Sequence, residues 1–384
     1  MKQFGNASKV ALLLLAAALP AVAQKFPTQQ FDRGKVSNFA TIPTFVPSGP
    51  GAACPGGAAS CTSDVEGITV DPDGTVYSPS FGFNSEGGLS GYGELFVFSP
   101  HGKLVKHFPV TGSSPHLIGL VYQQSSSSVL IADLGSGKVW KVDPASETTS
   151  CFMLAPTITT SPGLNALTID MAGNVYVSDS FQGAIWKTGP EGLPCTSATP
   201  PEAWYAPPPI SAQNDLLLPT PNAGELLVPP FGANGLEFNN EQTALFVMNT
   251  AYHSIVKIPV NTDGSAGTGV TLTTGINAPD GVAVDADDNL WVAANQGDEI
   301  VVVNPNGMLV AKKGDFYGIS DDGSIQGLVF PASLVFSPDH RRLYVTNLAL
   351  YLPYAGVPEI AVDSGWTLKV KHYNIAVIEI PHWQ

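Results

Sequence analysis

Four oxygen-bearing side chains stand at equivalent points of a recurring pattern: Glu66, Asn165, Asn234 and Asp280. Each opens a segment in which Gly or another small residue is followed by alternating apolar positions, as in Glu66-GITV, Asn165-ALTI, Asn234-GLEF and Asp280-GVAV. Two carboxylates and two neutral amide oxygens converging on one axis make a hard-cation site. Calcium takes six to eight oxygens in irregular geometry and suits this set. Magnesium demands stricter octahedral geometry, and zinc prefers His or Cys. One calcium ion in a central channel is therefore expected, held by these four residues. A calcium ion polarises a carbonyl or phosphoryl oxygen and stabilises the oxyanion formed on attack.

Such convergence needs a scaffold that returns the chain to one axis, and the sequence is a repeat. Six copies follow one plan, anchored at Glu66, Ile118, Asn165, Asn234, Asp280 and Ser333. In each, an alternating strand runs into a short turn and a second strand ending in Asp or Asn, and Asp-Gly, Ala-Gly and Asp-Asp turns mark hairpins. Third strands follow several copies (Gly93-ELFVFS, Gly137-KVWKVD, Ser254-IVKIPV, Glu299-IVVVN), and fourth strands the better ones. Four antiparallel strands per unit of roughly 50 residues describe an all-β, six-bladed β-propeller. The sixth unit lacks its outermost strand, and Lys35-VSNFATI near the N-terminus is available to close the ring.

Segments 78–92, 196–232 and 350–373 exceed what a propeller needs, and all overhang the face where the inner strands begin. Long loops in a compact fold are usually functional or disordered. Phe81, Phe83, Tyr92, Trp204, Tyr205, Tyr351, Tyr354 and Trp366 make them a candidate lid. His116, just before the second anchor, is the one histidine that the repeat register places near this face. Asp133, Asp179, Asn249, Asn295 and Asn347, which end second strands, are expected to cap turns.

The chain's 39 Gly and 33 Pro against only 49 charged residues suit many short strands and turns, and a hydrophobic share of 44% supplies a core. Its formal net charge of −15, with no basic run, excludes a phosphate-tracking nucleic-acid binder and argues against an anionic membrane surface. Residues 1–23 carry Lys2 and Lys9, an apolar run too short to span a bilayer, and Ala21-Val22-Ala23. They read as a secretory signal peptide cleaved after Ala23, leaving 24–384 as one monomeric domain in the periplasm or outside the cell. Cys54, Cys61, Cys151 and Cys195 then lie where disulfides form, with three pairings open and Cys54–Cys61 the easier to propose. No nucleophile elbow, zinc-protease motif or dinucleotide fingerprint is present.

The segments Pro279-Asp280-GVAVDADDNLWVA, Asn234-GLEF and Glu66-GITV resemble the senescence marker protein/gluconolactonase (regucalcin-like) superfamily of calcium-dependent six-bladed propellers, which extends to paraoxonase. The resemblance implies that Glu66, Asn165, Asn234 and Asp280 surround a catalytic calcium, and that Asp280 is also base or nucleophile. Paraoxonases have a functional His on blade 2, which points to His116. Where regucalcin-like lactonases carry an Arg two residues before the blade 3 Asn, this chain has Gly163. Two functions follow. One is a calcium-dependent hydrolase of a lactone, ester or phosphotriester with a partly apolar small-molecule substrate. The other is a non-catalytic, NHL-like secreted propeller that binds a ligand or protein partner.

Overall fold

The computed structural model describes residues 32–221, 230–356 and 364–380. The expected signal peptide lies outside them. Six four-stranded antiparallel sheets follow one another along the chain. Their inner strands are Thr69–Val70, Leu117–Gln123, Leu164–Ile169, Ala233–Phe238, Pro279–Val284 and Pro331–Phe336, for blades 1 to 6. Blade 6 takes its outer strand from the N-terminal segment, where Val36–Thr41 pairs antiparallel with Asn374–Glu379. The ring is thus closed by both chain ends. Apolar clusters fill the spaces between neighbouring sheets, for example Tyr176, Ile185, Leu236 and Val247 between blades 3 and 4.

Hairpin turns explain the Asp-rich spacing. Asp71 Oδ1 accepts the backbone N–H groups of Asp73 and Thr75, while Oδ2 accepts the Tyr77 hydroxyl at 3.0 Å. Asp170 with Tyr176 and Asp285 with Trp291 repeat the device six residues apart, at 3.1 and 2.9 Å. A short acceptor that satisfies turn N–H groups and anchors an aromatic ring fixes both turn and strand register.

One recurrent irregularity positions the site. In blades 2 to 6 the register between inner and second strands shifts within the first residues, as where Ala233↔Asn249 gives way to Leu236↔Val247. The same shift falls at 117/120, 164/167, 279/282 and 331/334. A bulge leaves a residue outside the ladder and re-aims its side chain. Asn165, Asn234 and Asp280 all sit in such bulges. The small residue after each anchor is demanded by blade-to-blade approach. A Cβ on Gly67, Gly119, Gly235 or Gly281 would lie 2.2 to 2.7 Å from the backbone oxygen of the next blade's anchor. On blade 6 that oxygen belongs to Ala332, so the anchor there is Ala332, one residue earlier than the sequence pattern suggested, and Ser333 takes the glycine position.

The three long segments divide. Residues 78–92 form a small hairpin, Phe83–Asn84 with Gly87–Gly88, between the second and third strands of blade 1. Segment 350–373 carries the short helices Leu352–Ala355 and Ser364–Thr367 between the second and third strands of blade 6. Segment 196–232 includes Glu202–Tyr205, the outer strand of blade 3, and Trp204 and Tyr205 are buried between blades 3 and 4 rather than forming a lid. A further hairpin, Phe316–Ile319 with Ile325–Gly327, precedes blade 6.

Both cysteine pairs are joined, Cys54–Cys61 and Cys151–Cys195. Two disulfides fit an oxidising compartment. Among the described residues no helix is long and apolar enough to cross a membrane.

Candidate metal centre and active-site cavity

All five residues singled out from the sequence line one cavity of about 340 Å³ at the channel mouth: Glu66, His116, Asn165, Asn234 and Asp280. The four oxygen donors are 3 to 5% exposed. Each has one oxygen buried without any hydrogen-bond partner: Glu66 Oε2, Asn165 Oδ1, Asn234 Oδ1 and Asp280 Oδ1. Leaving a buried polar atom unpaired costs roughly 1–3 kcal/mol, more if charged. Four such acceptor atoms around one channel make a donor set that fits a cation. Among the described residues no group of three or more His, Cys, Asp or Glu is placed to hold a metal. This donor set is instead half amide, which suits a hard ion.

The remaining polar side-chain atoms of Asn234 and Asp280 are committed. Asn234 Nδ2 donates to Thr250 Oγ1 at 2.9 Å, and the Thr250 hydroxyl donates to the Pro279 carbonyl at 2.8 Å. Asp280 Oδ2 accepts from Asn295 Nδ2 at 2.9 Å. The free oxygens of Asn234 and Asp280 are therefore the ones left for the cavity. Thr250 and Asn295 each follow the second strand of their blade and also reach the first residue of the next inner strand, Pro279 and Pro331. Ser180 does the same on blade 3, donating to Ala233 O at 2.6 Å.

Electrostatics agree. Burial pushes the Glu66 carboxyl well above its ordinary range, and Asp280 and then Asp64 push it further by like-charge repulsion. Burial likewise raises Asp280, opposed by the hydrogen bond from the Asn295 amide and by the neighbouring Asn234 amide. Two acids that cannot both ionise in a dry site become a stable pair of carboxylates when a divalent cation neutralises them.

Asp64 is a third buried acid that the sequence did not flag. Its Oδ1 accepts Phe83 N at 2.9 Å, its backbone carbonyl accepts Phe81 N at 3.0 Å, and Oδ2 has no partner. It thereby ties the Phe81–Phe83 strip to blade 1. His116 rests on that strip: its ring stacks on Phe83, centroids 4.9 Å apart, and Nδ1 lies 2.9 Å from the Phe81 carbonyl oxygen. A carbonyl only accepts, so Nδ1 carries the hydrogen and Nε2 keeps the lone pair of the neutral ring.

Of the residues expected to cap turns, Asp133 and Asp179 do so. Asp133 accepts from Ser114 and Ser136, Asp179 from Gly163 N and Gln182 N, and each holds a Trp Nε1 at 3.0 Å. Asn295 is different in kind: it orients Asp280 and lines the cavity. In sequence it looks like the other strand-end polar residues, and only its register, one position past the strand, distinguishes it.

A family model described as SMP-30/Gluconolactonase/LRE-like region matches residues 225–349. No curated protein matches the sequence. Among solved structures the chain is similar to a calcium-binding protein, regucalcin, from Agrobacterium tumefaciens. The two are 16% identical with a TM-score of 0.57, covering 83% of this chain and 90% of that one. A gluconolactonase from Xanthomonas campestris is 14% identical with a TM-score of 0.56, covering 91% and 98%. A luciferin-regenerating enzyme is also 14% identical, TM-score 0.57, covering 83% and 92%. At these identities the likeness is one of fold, and it agrees with the family resemblance read from the sequence.

Proposed function

We propose that this chain, a propeller of the SMP-30/gluconolactonase kind, is a secreted or periplasmic calcium-dependent hydrolase of a lactone, ester or phosphotriester. The observation that carries the reading is the set of four orphaned buried oxygens on Glu66, Asn165, Asn234 and Asp280 at the floor of one cavity. The regucalcin and gluconolactonase likenesses support it. Bound there, calcium would supply Lewis-acid polarisation of the substrate's carbonyl or phosphoryl oxygen.

The chain's own groups do the rest. Asn234 and Asp280 present fixed oxygens because Thr250 and Asn295 hold their other atoms. Such preorganisation spares the site from reordering during reaction. His116, with Nδ1 pinned by Phe81 O, offers Nε2 to take a proton from an attacking water. Asp280 borders the same space and is the alternative proton acceptor or nucleophile. Apolar walls exclude bulk water, which strengthens every charge interaction on the floor.

Metal analysis together with a lactone and aryl-ester panel tests the reading, on wild type and Asp280→Ala. Turnover that requires calcium, stops with chelator and disappears in the variant is expected. Activity indifferent to chelator and to the substitution would contradict it.

A further inference from the structure

The cavity is sharply divided by chemistry. Its polar side chains are the four oxygen donors at the starts of the inner strands, the already committed Thr250 and Asn295, and His116, which stacks on Phe83. The rest of the lining is apolar and includes Phe81, Phe83, Phe181, Phe231, Leu350 and Leu352. Phe181 and Phe231 stack, with centroids 5.9 Å apart and planes at 20°. Among the described residues no Lys or Arg lines the cavity.

Position 163 sharpens this. It lies two residues before Asn165 and it is glycine. A Cβ built there would come within 2.4 to 2.8 Å of the Phe181 ring. The aromatic ring occupies the space through which a side chain at 163 would leave the backbone. Phe181, which lines the cavity, therefore takes this space, and no long polar group from 163 is compatible with that ring where it stands.

We propose that the substrate of this site is an uncharged, hydroxyl-poor lactone or ester with an apolar tail or aryl group, and that Phe181 and Phe231 determine that specificity. This rests on the hydrolase reading and names its substrate class. The reactive carbonyl meets the floor while the tail lies against the stacked rings. A polyhydroxylated substrate would bury hydroxyls against Phe and Leu side chains, losing their bonds to water without replacement there. An anionic substrate would meet no Lys or Arg side chain among the described lining residues to offset the loss of its hydration.

The test compares two six-membered lactones, δ-decalactone and glucono-δ-lactone, with calcium present. A kcat/KM at least ~100-fold higher for δ-decalactone is expected, since each methylene in an apolar pocket is worth roughly tenfold or more. Phe181→Ala should erase most of that preference. Turnover of glucono-δ-lactone as fast or faster would overturn the proposal. Two inert ketones, 2-pentylcyclopentanone and scyllo-inosose, are titrated calorimetrically in parallel. If neither lactone is hydrolysed but the pentyl ketone binds at least ~tenfold more tightly, the substrate class stands and the hydrolase reading falls. Equal binding of the two ketones, or none, overturns the substrate class itself.

Discussion

Asn234 Nδ2 donates to the Thr250 hydroxyl at 2.9 Å, and that hydroxyl spends its own hydrogen on the Pro279 carbonyl of the next blade at 2.8 Å. The hydroxyl can therefore only accept from residue 234, which fixes the amide with its NH₂ toward Thr250 and its oxygen toward the cavity. One threonine thus orients a candidate metal donor and stitches blade 4 to blade 5.

Replacing it tests that link. Thr250→Val keeps the shape and removes the hydroxyl, so Asn234 is free to rotate. Calcium affinity should fall roughly 10–100-fold, the usual effect of losing a group that orients a metal ligand. Thr250→Ser should recover most of it. A calcium titration of the three proteins decides; equal affinities would remove Thr250 from the account.

His116→Gln separates proton transfer from metal binding. The ring touches the Phe81–Phe83 strip but is not among the oxygen donors. We expect kcat to fall by about 10²–10⁴ while calcium affinity is retained. An unchanged rate would leave Asp280 as the proton acceptor.

How much of this was legible beforehand depended on whether the pattern kept its glycine. Glu66, Asn234 and Asp280 each precede Gly, and that pair survives because the next blade's backbone passes within reach of any Cβ. Blade 6 has Ala332-Ser333 instead, so the register slipped by one residue. Asn295 and Thr250 were invisible as site residues because strand-end polar residues normally cap turns, as Asp133 and Asp179 do here. Asp64 precedes the repeat and carries no spacing signal. The outer strand Glu202–Tyr205 was hidden in a proline-rich stretch, since Pro200 and Pro201 read as loop. The Phe181–Phe231 stack joins residues fifty positions apart, and only the closed ring brings them together.

The blade contacts make Gly235 a sensitive point. Its hypothetical Cβ would lie 2.3 Å from the Asp280 carbonyl oxygen, and backbone cannot step aside cheaply. Gly235→Ala should cost about 1–3 kcal/mol in denaturant unfolding and weaken calcium binding, because it separates the strands carrying Asn234 and Asp280. Gly264→Ala, at a φ of +80° but with no atom within 4 Å of the new Cβ, separates backbone strain from blade contact. It should lower stability without changing calcium affinity.

A pH dependence of stability should arise at the other channel mouth. Glu237 lines a second cavity there, of about 430 Å³, and burial pushes its carboxyl from 4.5 up to about 7 against hydrogen bonds from Thr168 and Phe238. A raised folded value means that the native state holds the proton more tightly than the unfolded chain. That contribution is full below about 4.5 and is lost as pH rises through about 7. Gln can accept the same two bonds without a charge. The melting temperature of Glu237→Gln should match wild type near pH 4 and exceed it at pH 8. A gap that is constant with pH would assign the effect to packing instead.

The central claim is that four oxygens left unpaired in the channel share one calcium ion, and a calorimetric titration of chelator-treated protein with calcium chloride tests it most directly. One saturable site per chain is predicted, lost in Asp280→Ala and retained in His116→Gln. No calcium binding to the wild-type protein, or binding undiminished by Asp280→Ala, would contradict it.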